Sequence, residues 1–455
     1  MYLRPLMLWL TVLCLTWPSA LRAQDRSFGI RLPPSLNFAT SPSPVGSGAR
    51  AQGQALAFIG VADDATAASH NPGGLVQLER PEVSIVGAYF LRFERQDVTR
   101  PDTVVEDQNL DHFNLNYLSA AYPFQLVQRN VVVSLNFQRL FDLQGNTDVA
   151  SRFVNIDGVQ RVSSQQTGGL FTISPAVAVQ LTPTFSIGAA FNIWPNIFGN
   201  GWEQQVTVRA EGRVVPDNRI VPFVSEGHIR EHYGFEGFNV TVGFLWSLNS
   251  IFSLGGVVRT PFTARVAHTH TSSLTGTLQD GPAPFTTGDN FHETLHMHLP
   301  LAYGLGLAAS LSDRLTLALD VSRVHWSDFH LQASTRDTLL VENGAPSGKG
   351  QAVLRGQGDD TTSVRLGAEY LWIRQQVVLP FRAGFFYDPE PGEGGRDTFV
   401  GFSLGSGIAR IKPTNIFNKS IFDLAYTFRT GTVHSTATDT AVHQHTILAS
   451  VIYRF

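Results

Sequence analysis

The sequence predicts an all-β protein: a transmembrane antiparallel β-barrel of about 14 strands with an N-terminal plug (hatch) segment. Three observations carry that expectation. The chain closes on Ile447-Leu-Ala-Ser-Val-Ile-Tyr-Arg-Phe455, where apolar Ile447, Ala449, Val451 and Tyr453 alternate with Gln444, Thr446, Ser450 and Arg454 before a terminal aromatic. That is the pattern of a last outer-membrane strand. From Glu82 onward, strand-length segments are separated by gaps that alternate between short and long. Beyond the N-terminus no run of 18 apolar residues occurs, so a membrane-embedded chain must satisfy its backbone by closing a barrel.

Taken in order, the first element is a leader. Arg4 precedes the apolar run 6–17, and Ser19-Ala-Leu-Arg-Ala23 supplies small residues, so residues 1–23 read as a signal peptide cleaved after Ala23. The apolar run is too short to anchor the chain across a bilayer. The only cysteine, Cys14, falls inside the leader, which removes disulfides and thiolate chemistry from the mature chain.

Residues 24–80 read as the hatch, rich in Ala, Gly, Ser and Pro. Small side chains let such a segment pack tightly inside a lumen. Asp63 is the expected N-cap of one or two helical turns over 64–69, and Pro72 ends them by disfavouring helical geometry at Asn71.

Residues 81–455 read as the outer-membrane barrel. Its strands are expected at 82–95, 109–123, 129–142, 168–181, 184–196, 234–248, 251–267, 293–310, 313–328, 361–373, 376–388, 397–410, 418–431 and 442–455. Every second strand is followed by a short turn such as Leu181-Thr-Pro-Thr184 or Ser310-Leu-Ser-Asp313. The others are followed by longer polar stretches, including 143–167, 197–233, 268–292 and 329–360, which read as external loops. Within 418–431, Phe422, Leu424, Tyr426 and Phe428 share one face, and Asp423, Thr427 and Arg429 the other. Within 361–373, Val364, Leu366, Ala368, Tyr370 and Trp372 oppose Arg365, Gly367 and Glu369. A soluble β-sandwich shares this period of two, but calls for short turns at both ends.

Composition narrows the function. With 33 Lys+Arg against 37 Asp+Glu, the chain is acidic, and loss of the leader's Arg4 and Arg22 takes the net charge from −4 to −6. Nucleic acid is therefore not an expected partner. Only 15% of residues are charged although 41 are Gly, which suits a lipid-facing surface.

The small-residue block ending in Asn71-Pro-Gly-Gly-Leu75 resembles the N-terminal hatch of the outer-membrane long-chain fatty acid transporter (FadL-like) family, with its Asn-Pro-Ala signature. The resemblance continues, in order, through Leu299-Pro-Leu-Ala-Tyr-Gly-Leu-Gly306, Val321-Ser-Arg-Val-His-Trp-Ser-Asp-Phe329, Val364-Arg-Leu-Gly-Ala-Glu-Tyr370, Pro380-Phe-Arg-Ala-Gly-Phe-Phe-Tyr-Asp-Pro389 and Phe422-Asp-Leu-Ala-Tyr426. Gly73 replaces the signature Ala, and His70 stands where the family often has a bulky aromatic. The resemblance implies a fourteen-stranded barrel in the bacterial outer membrane, plugged by its hatch, that takes up hydrophobic molecules passively and releases them sideways through a gap in the wall. It implies no cofactor and no metal. The expected partners are a hydrophobic small-molecule substrate, outer-membrane lipid and lipopolysaccharide, and the barrel-assembly machinery during biogenesis.

A fatty acid needs an apolar tunnel and a cation for its carboxylate. Arg365, Arg382 and Arg429 on the inferred lumen face are the candidates, and the alternative is that they pair with lumen carboxylates such as Glu369 and Asp423. Asn71, Pro72 and Gly73 are the candidate gating element. His268, His270, His292, His296 and His298 gather around one hairpin, where neutral rim residues explain them more simply than a metal. Gly46-Ser-Gly48 with Gly53 lacks the strand and helix of a phosphate loop. No Walker motif and no assembled catalytic constellation occurs, so an enzyme is not expected. Long-chain fatty acid uptake is the leading reading. Aromatic hydrocarbon uptake and a protein-binding or secretion-system barrel are its rivals.

Overall fold

The computed structural model describes residues 47–98, 103–152, 157–214, 221–279, 284–333, 338–342, 345–350, 353–355, 359–392, 395–410, 420–434 and 438–455. The expected leader, Cys14, Gly46 and residues 24–46 of the hatch lie outside them.

Fourteen strands close an antiparallel barrel: β1 Glu82–Val98, β2 Gln108–Leu126, β3 Arg129–Asp142, β4 Asp157–Thr182, β5 Phe185–Trp194, β6 Val221–Ser247 and β7 Phe252–Arg259. They continue as β8 Ala302–Ser312, β9 Leu315–Val324, β10 Thr361–Arg374, β11 Val377–Gly392, β12 Gly395–Arg410, β13 Ser420–His434 and β14 Thr438–Arg454. Closure is made by β1 on β14, in an unbroken register from Glu82↔Arg454 to Val98↔Thr438. The seam joins the first strand to the last, so neither is left as an edge strand.

The period-two faces fall as the sequence predicts. Leu366, Tyr370, Trp372, Phe422 and Leu424 are exposed on the outside, while Arg365, Glu369, Asp423, Thr427 and Arg429 are buried inside.

Four stretches expected as loops are built largely of strand instead. β3 continues outward as Gly145–Arg152, β5 as Gly201–Val214, β7 as Phe262–Leu278 and β9 as His330–Ala333, while β8 is preceded by Phe285–Leu299. The reason is that the outward face of these extensions is polar, even where the inward face buries Ala264, Val266, Leu295 and Met297. Arg161 and Glu211 pair across strands at 3.0 Å, and Arg230 and Glu203 at 2.8 Å, so no apolar outward face marks them as membrane strand. The expected unbroken strands 251–267 and 293–310 are interrupted at Thr260-Pro261 and Pro300-Leu301, because proline cannot donate to a ladder. The end of the expected 313–328 strand is a 3-10 turn, Trp326–Asp328.

Inside the barrel lies the chain from Ser47 to the start of β1: helix α1 Ala49–Gly53, helix α2 Ala67–His70 and a 3-10 turn Pro72–Gln77. Its Phe58, Ala57, Ala62, Ala67 and Leu75 are wholly or almost wholly buried against small wall residues such as Ala178, Ala190 and Ala308. The expected Asp63 cap is corrected. Thr66 is the N-cap of α2, without a side-chain bond. Asp64 instead accepts from the Thr66 amide at 2.8 Å and its hydroxyl at 2.6 Å, and Asp63 turns away to Arg50. The expected stop holds: Asn71 leaves the helical region at φ −152°, ψ 98°.

Candidate functional site

The plug is fixed to the wall by polar contacts that each pair a plug group with an inward residue. Asn71 does three things at once. Its Nδ2 donates at 2.8 Å to the Ile59 carbonyl within the plug and at 2.8 Å to the Phe244 carbonyl of β6, while its Oδ1 caps the 3-10 turn from the Gly73 amide at 3.1 Å. Pro72 then occupies the first position of that turn, where its missing N–H is no loss. The Gly73 carbonyl accepts from Ser186 of β5 at 2.7 Å. The wall is glycine where this segment touches it. A Cβ at Gly243 would collide with the Asn71 amide, and one at Gly188 with the Pro72 carbonyl.

A second tether is ionic. Arg50 of α1 donates to Asp63 at 2.5 Å and, from Nε and Nη2, to both oxygens of Glu369 on β10 at 3.0 and 2.9 Å. Glu369 also accepts from Arg382 of β11 at 2.5 Å, and Arg382 reaches Asp423 of β13 at 2.6 Å. A third tether is Asp320 of β9, which accepts the Phe58 and Ile59 amides at 2.7 and 2.9 Å. Neither Arg50 nor Asp320 was expected from sequence. The available signals were a lone Arg in an Ala/Gly block and a lone acid on the inward face of Ala318-x-Asp320-x-Ser322.

Beside the plug lies a cavity of about 80 Å³, floored by Ala55 and Leu56, several times the space one water needs. Arg365 and Arg429 line it and Arg382 does not. Arg365 pairs with Asp388 at 2.9 Å, rather than with Glu369 or Asp423, and also donates to the Ala55 carbonyl at 3.3 Å. Arg429 pairs with Glu390 and sits 3.7 Å above the Phe399 ring. The third arginine of the lining, Arg92, is held by Glu94 at 2.5 Å.

The cavity abuts an interruption in the wall. The β2–β3 ladder runs only from Leu126↔Arg129 to Tyr117↔Gln138. Beyond it, 108–115 pair with β1 alone, and 139–142 with β4 alone, among the described residues. The wall closes again farther out, where Thr103–Val105 pairs with Val149–Ser151. His112, stacked on Phe90 at 5.1 Å, donates across this window to Asp142, which also accepts from Asn114 at 3.4 Å. His112 and Asp142 both line the cavity.

The histidine hairpin does not converge. His268 is held inside between Glu231 at 2.7 Å and Glu293 at 2.9 Å, and His270 binds Glu231 at 2.7 Å. His292, His296 and His298 alternate to the outer face, where His298 stacks on His330 at 4.9 Å. Among the described residues no group of three or more ligating side chains could hold a metal ion. Gly53 serves packing, meeting Gly405 and Arg382 of the wall.

A closed barrel, a segment filling it, and a cavity beside a window in the wall together define a plugged outer-membrane channel. The family model described as outer membrane protein transport protein (OMPP1/FadL/TodX) matches residues 46–401. The chain belongs to that family, whose members are transport channels rather than enzymes, and it is a protein of the bacterial outer membrane that conducts hydrophobic small molecules.

Solved structures agree in fold. The CymD monoaromatic hydrocarbon channel is 15% identical, with 90% of this chain and 98% of that chain covered and a TM-score of 0.55. A Pseudomonas aeruginosa FadL homologue is 11% identical, with 90% and 99% covered and a TM-score of 0.56. The Ralstonia pickettii toluene transporter TbuX is 13% identical, with 90% and 98% covered and a TM-score of 0.51. No curated protein matches the chain.

Proposed function

We propose that the protein is a passive uptake channel for uncharged hydrophobic molecules, aromatic compounds before fatty acids. One observation carries the preference: each arginine lining the cavity is already matched by a wall carboxylate, in the pairs Arg365–Asp388, Arg429–Glu390 and Arg92–Glu94. An entering fatty acid carboxylate would have to displace one acid and leave it buried and unpaired, which costs several kcal/mol. A neutral solute meets no such barrier.

In this reading solute enters from outside, rests in the cavity beside the hatch, and leaves sideways through the β2–β3 window into the bilayer. Asn71, Pro72 and Gly73 hold the hatch shut, and Arg382 belongs to the same lock rather than to the solute. Residues 1–23 are a leader removed in transit, 24–80 the hatch and 81–455 the barrel. Outer-membrane lipid and lipopolysaccharide surround it, and the barrel-assembly machinery inserts it. The fatty acid reading is supported by the presence of Arg365 and Arg429 in the lining.

Uptake of labelled toluene and of a labelled long-chain fatty acid, by liposomes carrying the intact protein or one lacking residues 24–75, separates the two. Toluene entry altered by hatch removal is expected. Entry of the fatty acid alone would reverse the preference, and entry of neither would remove both solutes from the proposal.

A further inference from the structure

The cavity is mostly apolar but carries polar side chains for which a hydrocarbon has no use. Ligand pockets are mostly apolar, with a few polar groups that fix orientation. Here Phe90, Leu110, Phe386 and Leu448, with Ala55 and Leu56 of the hatch, supply the apolar surface, and Gln144, Gln444, Thr446 and Thr427 join the matched ion pairs between them. A bare hydrocarbon would strip water from those amides and hydroxyls and give nothing in return. A carboxylate meets arginines that are already paired.

The polar groups are not equally committed. Thr427 is held on two sides, by Gln52 at 2.7 Å and Ser403 at 2.8 Å. Gln444 and Thr446 reach each other only at 3.4 Å, long for such a bond. They are also correctly placed for a ligand with one polar end. In the β1–β14 ladder Thr446 lies opposite Phe90 and Leu448 opposite Ala88, so a ring lying against Phe90 and Leu448 brings a substituent to Thr446 and Gln444. An amide oxygen and a hydroxyl at that point can accept from and donate to one hydroxyl group.

We infer that the cavity is a binding site for a neutral aromatic ring bearing a hydroxyl, a phenol-class ligand, with Gln444 and Thr446 as the residues that recognise the hydroxyl. The inference rests on the proposed channel and names the solute class it selects. Sites built to hydrogen-bond a hydroxyl reject the analogue that lacks it far more strongly than apolar pockets reject an added one.

Three probes of one shape decide it: 4-methylphenol, toluene and 4-methylbenzoate at pH 7, titrated calorimetrically into the detergent-solubilised full chain and followed as uptake into liposomes. The phenol is expected to bind about tenfold or more tightly than either of the others, the size of one buried hydrogen bond left unmade. Thr446→Val and Gln444→Leu should each weaken phenol binding about fivefold and leave toluene unchanged, with unaltered heat-modifiable gel mobility reporting an intact barrel. Toluene bound as well as the phenol, or a phenol preference indifferent to both substitutions, would overturn the inference while leaving the channel standing. A preference for 4-methylbenzoate would overturn it in favour of an acid site. Uptake of none of the three would overturn inference and channel together.

Discussion

Arg50 of the hatch and Glu369 of the wall meet as two forks, with Nε and Nη2 donating to the two carboxylate oxygens at 3.0 and 2.9 Å. They are separated by 319 residues in sequence, so the contact exists only when the hatch is seated. Such bidentate pairs fix geometry as well as charge. Because Glu369 also binds Arg382, which binds Asp423, the seat is shared among β10, β11 and β13.

Glu369→Ala therefore leaves two guanidinium groups facing each other beside the hatch. Removing one partner of a buried ion network costs about 3 kcal/mol or more. The expected outcome is faster hydrogen exchange across residues 47–80 and larger current fluctuations in planar bilayers, with the barrel strands unchanged. Exchange in the hatch equal to that of the parent protein would remove the seat from the ion network.

Asn71→Ala deletes two donations from Nδ2 and the cap of the 3-10 turn. Uptake of toluene should change while surface assembly, read by heat-modifiable mobility, persists. Failure to assemble would instead make Asn71 a packing residue of the plug.

His70 gives the hatch a dependence on pH. Its side chain is fully buried, edge-on to Phe58 at 5.3 Å, and burial pushes the imidazole down from 6.5 to about 4, with Asp64 opposing and Arg365 assisting. Above pH 6.5 the imidazole is neutral whether the hatch is seated or free, so nothing is lost. Between 6.5 and about 4 a freed hatch takes up a proton that the seated one refuses, so seating weakens as pH falls, by about 3 kcal/mol at the lower end. Protease sensitivity of the hatch in the whole protein should rise between pH 6.5 and 4.5. His70→Phe, which places an aromatic there, should abolish the rise; an unaltered profile in that variant would assign the effect elsewhere.

The barrel was legible because lipid enforces an alternation. Leu366 and Phe422 must be apolar and their neighbours Arg365 and Asp423 need not be, so the membrane-spanning part of each strand announces itself. The extensions beyond the membrane were not legible, since Arg161, Glu211, Arg230 and Glu203 stand on water-facing surfaces where strand and loop draw on the same residues.

At the site, Asn71 and the lumen arginines were visible, as were Glu369 and Asp423, which Arg382 binds, but the partners of Arg365 and Arg429 were not. Arg365 finds Asp388 and Arg429 finds Glu390 on the next strand but one or nearer, and such pairings depend on register, which residue spacing within one strand does not carry. The window was hidden for the same reason. It arises where the β2–β3 ladder stops at Tyr117↔Gln138, and nothing in Gln108-Asn-Leu-Asp-His112 by itself says that a partner is missing.

That window is also where the proposed route is most exposed to test. Cys14, within the segment proposed as a leader, is the only cysteine, so Asn114→Cys and Asp142→Cys, one on each side of the opening, would be the only thiols once that segment is removed. Bridging them with a bis-methanethiosulfonate reagent and releasing them with reductant, while following uptake of labelled toluene by liposomes, asks whether solute leaves between β2 and β3. The predicted result is uptake that stops on bridging and returns on reduction. Uptake unaffected by a complete bridge would contradict lateral exit through this window.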